Sequence, residues 1–388
     1  MFNALYGINL NLNYNIKLMI FLTGCTGYVG KHLLRYLCLT SQKIRVCIRD
    51  KELTGKQRFQ KEIVEHGLFA DPVIQNNLEN VEVIEKDLSE LTQEDIEGIV
   101  IHCAANVKFT APLELLLEEN LEGLKKIYSL SKEKFIHIST CYVHPKNNGK
   151  SEKIPASLSK TKFICEYAYT KYLAEQYLYD KPNVTIIRLS CVGAPIEKLT
   201  PMRGGAHLAI LELIERSTLP DLWLPEHFTF SSVPVDIICK EIIKELDHKE
   251  KELRILQYCA PKDNLTYNIS SNEFSKDKKI NTMIWKGLSF QTFTLWMNFF
   301  YWFIPSLLKK ILDANQIISH VSKNITFESS IELPNLTPQQ YNDITYEYIQ
   351  QLVKNKPKSY LPYLYCGLTY LKKLLFLVVD YSYIEDEI

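Results

Sequence analysis

The sequence predicts an α/β protein built on a doubly wound parallel β-sheet, followed by a smaller, mainly helical C-terminal subdomain. Three observations lead to this prediction. Short apolar segments alternate with amphipathic segments through the first half of the chain, a glycine-rich turn follows the first apolar segment, and the composition changes near residue 270. Such alternation is typical of a parallel sheet, because each pair of parallel strands needs a crossover connection that is usually a helix.

Six strands and four helices are predicted in the first half. The strands are expected at 18–22, 44–48, 81–84, 99–102, 135–139 and 184–189, and the helices at 31–39, 57–66, 113–129 and 166–179. We predict an N-terminal extension (1–18), a main domain (19–275) and a C-terminal subdomain (276–388). Residues 1–18 are rich in Asn and lack the basic and apolar parts of a signal peptide, so we expect them to be dispensable.

The stretch IFLTGCTGYVG, residues 20–30, is the most informative in the chain. Gly24, Gly27 and Gly30 follow an apolar segment at three-residue spacing, and the amphipathic run KHLLRYL begins directly after them. In a strand–turn–helix unit, the first glycine allows a tight turn, the second lets phosphate approach the backbone, and the third lets the helix pack closely. The helix N terminus then attracts an anion. The stretch predicts a dinucleotide pyrophosphate site in a Rossmann-type fold; an ordinary strand-to-helix turn is the alternative.

Tyr167 and Lys171 are a second candidate for chemistry. They lie four residues apart in the predicted helix EYAYTKYLAE, so both side chains project from one face. An ammonium about 4 Å from a phenol, at an effective dielectric of about 20, contributes about 4 kcal/mol, which would lower the phenol's pKa toward neutrality. We therefore expect Tyr167 to donate a proton and Lys171 to lower its pKa. A solvated pair on a helix surface is the alternative.

A hydroxyl pair ends the strand FIHIST. Parallel sheets carry ligand-binding groups at the carboxyl ends of their strands, so Ser139 or Thr140 is placed to hydrogen-bond a substrate carbonyl. The alternative is that these hydroxyls only cap a helix or turn.

These three features occur in the order found in the extended short-chain dehydrogenase/reductases, which the chain resembles. Five further segments resemble the fatty acyl-CoA reductase and thioester reductase (male-sterility-type NAD-binding) family: KDL (86–88), IHCAANVKF (101–109), HISTCYV (137–143), YTKYLAE (169–175) and SVPVD (232–236). The resemblance extends from about residue 18 to residue 265. It implies a Rossmann core with a substrate subdomain, and NADPH-dependent reduction of an acyl thioester.

The resemblance also implies roles for individual residues. Thr140, Tyr167 and Lys171 would form the catalytic set. The residues expected to contact the cofactor are Gly24, Thr26, Gly27, Tyr28, Val29, Gly30, Arg49, Asp87, Leu88, Ala104 and Lys171. Arg49 matches an arginine that reads the 2′-phosphate, which a guanidinium can bind with two hydrogen bonds. Asp50 is next to it and would favour NADH, so NADPH is the preferred prediction and NADH the alternative.

Composition limits the other function classes. The chain carries 45 basic and 45 acidic residues, so we expect no nucleic-acid partner. Its ten cysteines form no CxxC pair, which predicts free thiols, a cytoplasmic location and no metal site. Two aromatic and apolar stretches, 290–312 and 361–379, are interrupted by polar residues. They are read either as buried packing or as a peripheral membrane contact.

Four further residues are weaker candidates for a role in the site. Three of them are expected to be packing residues, and two interpretations of the fourth remain. Cys141 is expected to be a buried packing thiol, and His102 and His137 are expected to be core histidines. His144 either lines the site or packs beside it.

The predicted substrate is a small-molecule or carrier-bound acyl thioester, and the product is an aldehyde or alcohol. The first alternative is an extended short-chain dehydrogenase or epimerase acting on a steroid-like lipid alcohol or a nucleotide sugar. The second is a cofactor-binding scaffold without turnover.

Overall fold

The computed structural model describes residues 19–354, apart from several internal gaps. The gaps are 41, 109–110, 146–148, 151, 205–207, 209–210, 213–214, 216–220, 226–228, 250, 261–267, 271–278 and 284–326. The N-terminal extension and both aromatic stretches named above lie outside the described residues. The extents predicted for the three domains stay predictions.

Seven parallel strands form the main sheet. They are β1 (Met19–Thr23), β2 (Lys43–Cys47), β3 (Glu82–Ile84), β4 (Ile99–His102), β5 (Phe135–Thr140), β6 (Val184–Leu189) and β10 (Arg254–Tyr258). The short strand β7 (Cys191–Gly193), which follows β6 in the chain, lies outside this sheet. The strands β4, β5 and β6 are buried along their whole length, as expected for a sheet covered on both faces. The doubly wound parallel sheet predicted from the sequence is thus confirmed, and β10 is a strand that was not predicted.

The strand order is β10-β6-β5-β4-β1-β2-β3. The chain therefore builds outward from β1 in one direction and then from β4 in the other. Ligands of doubly wound sheets bind at the carboxyl ends of the strands where this order reverses. Here that point lies between β1 and β4, where Thr23 is opposite His102 in the register. His102 is in turn opposite His137 of β5.

The helices that flank the sheet depart from the prediction in their number and in two internal turns. They are α1 (Tyr28–Cys38), α2 (Gly55–Phe59), α3 (Pro72–Leu78), α4 (Leu113–Leu117), α5 (Gly123–Leu130), α6 (Glu166–Leu178) and α7 (Val235–Lys244). Two predicted continuous helices, 57–66 and 113–129, instead contain π-helical turns at Gln60–Val64 and Glu118–Glu122. Such turns are rare and occur often at functional sites.

The described residues divide into two compact units. The first comprises Met1–Met202, Val233–Asp263 and Ile325–Pro334, and contains the main sheet. One face of the sheet packs in a core cluster that includes Phe21, Val100, Phe135 and Ile186. These side chains are 0% exposed, so their burial helps to stabilise this unit.

The second unit comprises Arg203–Ser232, Asn264–Asn324 and Asn335–Ile388. In it, β8 (Asp221–Pro225) pairs in parallel with β12 (Lys279–Met283). The first three residues of β9 (Thr229–Pro234) pair antiparallel with β11 (Asn268–Ser270). Helix α8 (Pro338–Val353) begins with a capping box made by Thr337 and Gln340. Across the described ranges of the chain, no helix is long and apolar enough to span a membrane.

Candidate active site

The glycine turn packs tightly between β1 and α1. Gly24 has a φ of +76°, and a Cβ atom added to it would lie 2.6 Å from the backbone nitrogen of Ala104. A Cβ atom on Gly30 would overlap the carbonyl oxygen of Gly24. The Gly27 amide donates a hydrogen bond to that same oxygen over 3.0 Å. Only glycine therefore fits at the first and third positions of the turn.

Helix α1 presents its N terminus at this turn. Gly27 is the N-cap residue, and as a glycine it offers no side-chain oxygen to the first N–H groups of the helix. Thr26, Tyr28 and Val29 belong to the same segment, and the Tyr28 hydroxyl donates to the carbonyl of Gly193 over 2.8 Å. Uncapped N–H groups and the positive end of the helix dipole suit a phosphate. This end of the sheet can hold a pyrophosphate.

Arg49 and Asp87 meet beyond the ends of β2 and β3. Arg49 Nη1 lies 3.6 Å from Asp87 Oδ2 and 3.0 Å from Glu119 Oε1, and 48% of the Arg49 side chain is exposed. The carboxylate of Asp50 accepts a hydrogen bond from the Gly55 amide over 2.7 Å. Asp50 is therefore engaged with the first turn of α2, while Arg49 stays accessible to an additional anion.

Arg58 is a residue that the sequence analysis did not single out. Its side chain is buried, and Nη1 donates to the carbonyl of Arg49 over 2.9 Å while Nη2 lies 3.5 Å from Oγ1 of Thr26. Glu62 accepts from Nε over 2.9 Å. The guanidinium thus joins the glycine turn to the segment after β2. Its position nine residues after Arg49 gave no sequence signal, because the contact depends on how α2 folds back.

The two hydroxyls that end β5 have different partners. Ser139 Oγ donates to Glu175 Oε1 over 2.6 Å and is buried. Thr140 Oγ1 donates to the carbonyl of Leu189 over 3.3 Å and accepts from the Tyr142 amide, which caps a short 3-10 turn. Ser139 is therefore committed to the carboxylate of α6. Thr140 remains the hydroxyl at the strand end, with a capping role in this state.

Lys171 is buried and points from α6 toward β5. Its Nζ atom donates to the carbonyl of Ile138 over 2.7 Å and lies 3.1 Å from Nε2 of His137. Burial lowers the pKa of Lys171 to about 8, and the charges of Glu175 and Cys103 oppose part of that shift. A lysine with such a pKa changes charge in the range where enzymes operate.

The structure corrects one expectation about Tyr167. The pKa of the Tyr167 phenol is raised, not lowered, and burial is the main cause, followed by the charges of Cys165 and Cys103. The ammonium of Lys171 donates to groups of β5 instead of compensating for that desolvation. Four-residue spacing placed both residues on α6, but it did not determine where each polar atom points. Tyr167 is accordingly a protonated phenol at neutral pH in the absence of cofactor.

Asn120 is a second residue that the sequence did not indicate. It lies in the π-helical turn between α4 and α5, and its side-chain amide bonds both backbone groups of Asn106, over 2.7 Å and 3.0 Å. Its Nδ2 atom also donates to Oγ1 of Thr170 over 3.1 Å. Asn120 thus ties the loop after β4 to α6, one residue before Lys171. The π turn holds one residue more than an α-helical turn, and Asn120 lies within it. The hydrophobic periodicity of the sequence does not reveal this extra residue.

The smaller candidates are engaged in packing. Cys141 is buried against Cys259 and Phe327. His144 Nε2 lies 2.8 Å from Oε1 of Gln257 and 3.2 Å from Nη1 of Arg188. His102 and His137 stack on each other with ring centroids 5.7 Å apart.

The sequence-predicted residues fall into three groups along the carboxyl edge of the sheet. The glycine turn and Ala104 lie at the ends of β1 and β4, and their closeness is shown by the Gly24 contact. Arg49 and Asp87 lie beyond β2 and β3, with Leu88 directly after them. The candidate catalytic residues lie at the end of β5 and on α6: Thr140, Tyr167 and Lys171.

Residues 22–242 match the male sterility protein family, whose model describes an NAD-binding domain. This span is more than half of the 388 residues and includes the glycine turn and the candidate catalytic residues. The chain belongs to the male sterility protein family. The resemblance expected from the motifs is confirmed by this match.

Curated relatives match this chain over part of its length. It is 30% identical over 223 residues to fatty acyl-CoA reductase 1 of Mus musculus, covering 45% of this chain and 43% of the relative. It is 28% identical over 229 residues to fatty acyl-CoA reductase 2 of Homo sapiens, covering 47% and 44%. The matched region is therefore less than half the length of either relative.

Solved structures resemble the fold of this family member at lower identity. The terminal R domain from the myxalamid PKS-NRPS biosynthetic pathway has a TM-score of 0.65 at 17% identity, covering 89% of this chain and 94% of that domain. The reductase domain of the aureusimine biosynthetic cluster has a TM-score of 0.58 at 15% identity, covering 87% and 91%. These likenesses establish the fold.

Proposed function

We propose that this protein is an NADPH-dependent reductase of acyl thioesters, which converts a fatty acyl-CoA or a carrier-bound acyl group to an aldehyde or alcohol. One observation carries the proposal. One parallel sheet carries both the glycine turn with its uncapped helix terminus and the helix that bears Tyr167 and Lys171. The chain is also similar in sequence to fatty acyl-CoA reductases.

The proposed chemistry assigns a task to each side chain. A nicotinamide cofactor held by the glycine turn and Lys171 would supply a hydride to the thioester carbonyl carbon. Thr140 and Tyr167 donate hydrogen bonds to the carbonyl oxygen as negative charge develops on it, and Tyr167 transfers its proton. The resulting hemithioacetal loses the thiol and gives the aldehyde. Lys171, held on β5, keeps a positive charge near the phenolate that Tyr167 becomes.

The cofactor is proposed to be NADPH because of the cations beside the adenosine end. Arg49 is half exposed and Arg58 reaches both the Arg49 carbonyl and Thr26, so a 2′-phosphate there would meet one or two guanidinium groups. Asp50, the residue that would favour NADH, has its carboxylate bonded to the Gly55 amide. The side chains present therefore favour a phosphate over a free ribose hydroxyl.

Cofactor oxidation tests this proposal. The purified full chain is incubated with NADPH or NADH and one substrate from a panel of acyl-CoA thioesters of graded length, long-chain aldehydes, steroid alcohols and nucleotide sugars. Products are identified by mass spectrometry. We expect NADPH oxidation with long-chain thioesters, together with an aldehyde or alcohol. If no thioester gives oxidation above background and no reduced product forms, the proposal is wrong; turnover of a steroid or nucleotide sugar alone would assign the alternative substrate class.

A further inference from the structure

The ammonium of Lys171 is held by two acceptors on one strand. One is the carbonyl of Ile138, at 2.7 Å, and the other is Nε2 of His137, at 3.1 Å. An ammonium has three N–H donors and no acceptor, so these contacts occupy two of its donors. The third donor has no acceptor among the described residues.

This contact fixes the state of His137. While Lys171 is charged, its ammonium can only donate, so Nε2 of His137 accepts and the ring proton is assigned to Nδ1. Nδ1 is buried and has no hydrogen-bond partner among the described residues. Burial, followed by the charges of Lys171 and His102, lowers the pKa of His137 well below its usual value. The lowered pKa favours the neutral ring, which can accept from the ammonium.

A second imidazole holds the His137 ring in place. His102, opposite it in the β4–β5 register, stacks on it with planes 20° apart. Nδ1 of His102 lies 2.9 Å from Oγ1 of Thr23, which also accepts from the Ala104 amide over 3.1 Å. The stack thus connects the loop beside the glycine turn to the ammonium of Lys171.

We propose that His137 is a positioning residue that anchors the ammonium of Lys171 to β5, stacked on His102, so that one donor of Lys171 stays directed toward the bound cofactor. The expected change in the pH–rate profile rests on the proposed function, whereas the expected change in the titration of Lys171 does not. The groups that act on the charge of Lys171 from α6, β4 and β5 are Glu175, Cys103, His102 and His137. Of these, His137 is the one whose side chain bonds Nζ directly.

The test compares two substitutions in the full chain. His137→Leu removes the acceptor, whereas His137→Gln can present an amide oxygen near the position of Nε2. Lys171 is observed by NMR with lysine labelled with ¹³C at Cε, and Lys171→Met identifies its signal. A hydrogen bond to an ammonium stabilises the charged form, so its loss should lower the titration midpoint by about one pH unit, a tenfold change in proton affinity.

We expect the midpoint of Lys171 to fall in His137→Leu and to return in His137→Gln. The alkaline limb of the pH–rate profile should move by the same amount, with cofactor affinity reduced in the Leu variant alone. Thermal unfolding and circular dichroism show that each variant is folded. An unchanged midpoint in folded His137→Leu, or an equal shift in both variants, overturns the proposal. If the midpoints behave as expected but no thioester is reduced by the wild type, the positioning role stands and the proposed reaction fails.

Discussion

Arg188 and Glu175 form an ion pair in which both side chains are 0% exposed, with Nη2 of Arg188 2.7 Å from Oε2 of Glu175. The Arg188 Nε atom contacts both carboxylate oxygens over 3.1 Å, so the pairing joins β6 to α6 through several hydrogen bonds. Glu175 also accepts from Ser139, the residue before the candidate catalytic Thr140. The pair therefore connects the sheet to the helix that carries Lys171.

Removing one member of this pair should destabilise the protein strongly. Glu175→Gln leaves Arg188 buried without its counter-charge, which should lower the free energy of unfolding by about 3–5 kcal/mol. Urea denaturation measures the loss. As a control, Glu122→Gln removes a surface carboxylate that pairs with Lys125, and it should cost less than about 1 kcal/mol. Equal stability of the two variants would contradict a structural role for the buried pair.

Gly30→Ala should weaken cofactor binding strongly. The added methyl group would overlap the carbonyl oxygen of Gly24, so the turn must open and α1 must move away. We expect the dissociation constant for NADPH to rise by about a hundredfold or more, which is about 2.8 kcal/mol of binding free energy. Fluorescence titration measures it. Gly123→Ala is the control, since its Cβ would lie 3.5 Å from Leu88 Cδ1 at an ordinary contact distance; similar losses in both variants would argue against the turn.

Tyr167→Phe should remove turnover while retaining cofactor binding. The variant keeps the ring and loses the proton donor, so kcat should fall by about a hundredfold to ten-thousandfold, as for other general acids. Tyr169→Phe is the matched control, because Tyr169 lies on the same helix and its ring packs against Phe163 and Tyr172. Single-turnover kinetics and cofactor titration separate the two effects. Substantial activity in Tyr167→Phe would exclude its role as proton donor.

The alkaline limb of the pH profile should belong to Lys171. Its pKa lies below the ordinary value for lysine, at about 8, because the ammonium is buried. Above that pH Lys171 loses its charge, so kcat/KM for NADPH, which reports the free enzyme, should fall as pH rises through about 8. Tyr167 stays protonated there, since burial raises its pKa. The arginine in Lys171→Arg stays charged at all these pH values, so the residual activity of this variant should show no alkaline limb.

Cofactor preference should depend on Arg49. Its guanidinium is accessible beside the ends of β2 and β3, and a 2′-phosphate would add a charge-assisted hydrogen bond. In Arg49→Ala we expect KM for NADPH to rise by about tenfold to a hundredfold with little change in KM for NADH. Arg45→Ala within β2, where Arg45 pairs with Glu82 of β3, is the control and should change neither value. Equal loss with both cofactors would place Arg49 away from the phosphate.

Much of the sheet could be predicted because its signals are local. Apolar runs of four to six residues mark β4, β5 and β6, and glycine spacing marks the turn before α1. The π turn that contains Asn120 could not be predicted, since its single extra residue does not disturb the helical pattern enough to be seen. The contact between Arg58 and Thr26 also escaped prediction, because it depends on where α2 packs.

The sequence by itself determined the doubly wound sheet, the glycine turn at the end of β1 and the position of Tyr167 and Lys171 on one helix. These follow from periodicity and spacing over a few residues, where backbone geometry relates sequence to direction. Only the tertiary structure decided which groups surround Lys171. His137 lies 34 residues away along the chain, and strand register and helix packing bring its ring to the ammonium. Burial at that contact then sets the charge of both groups, which residue spacing cannot encode.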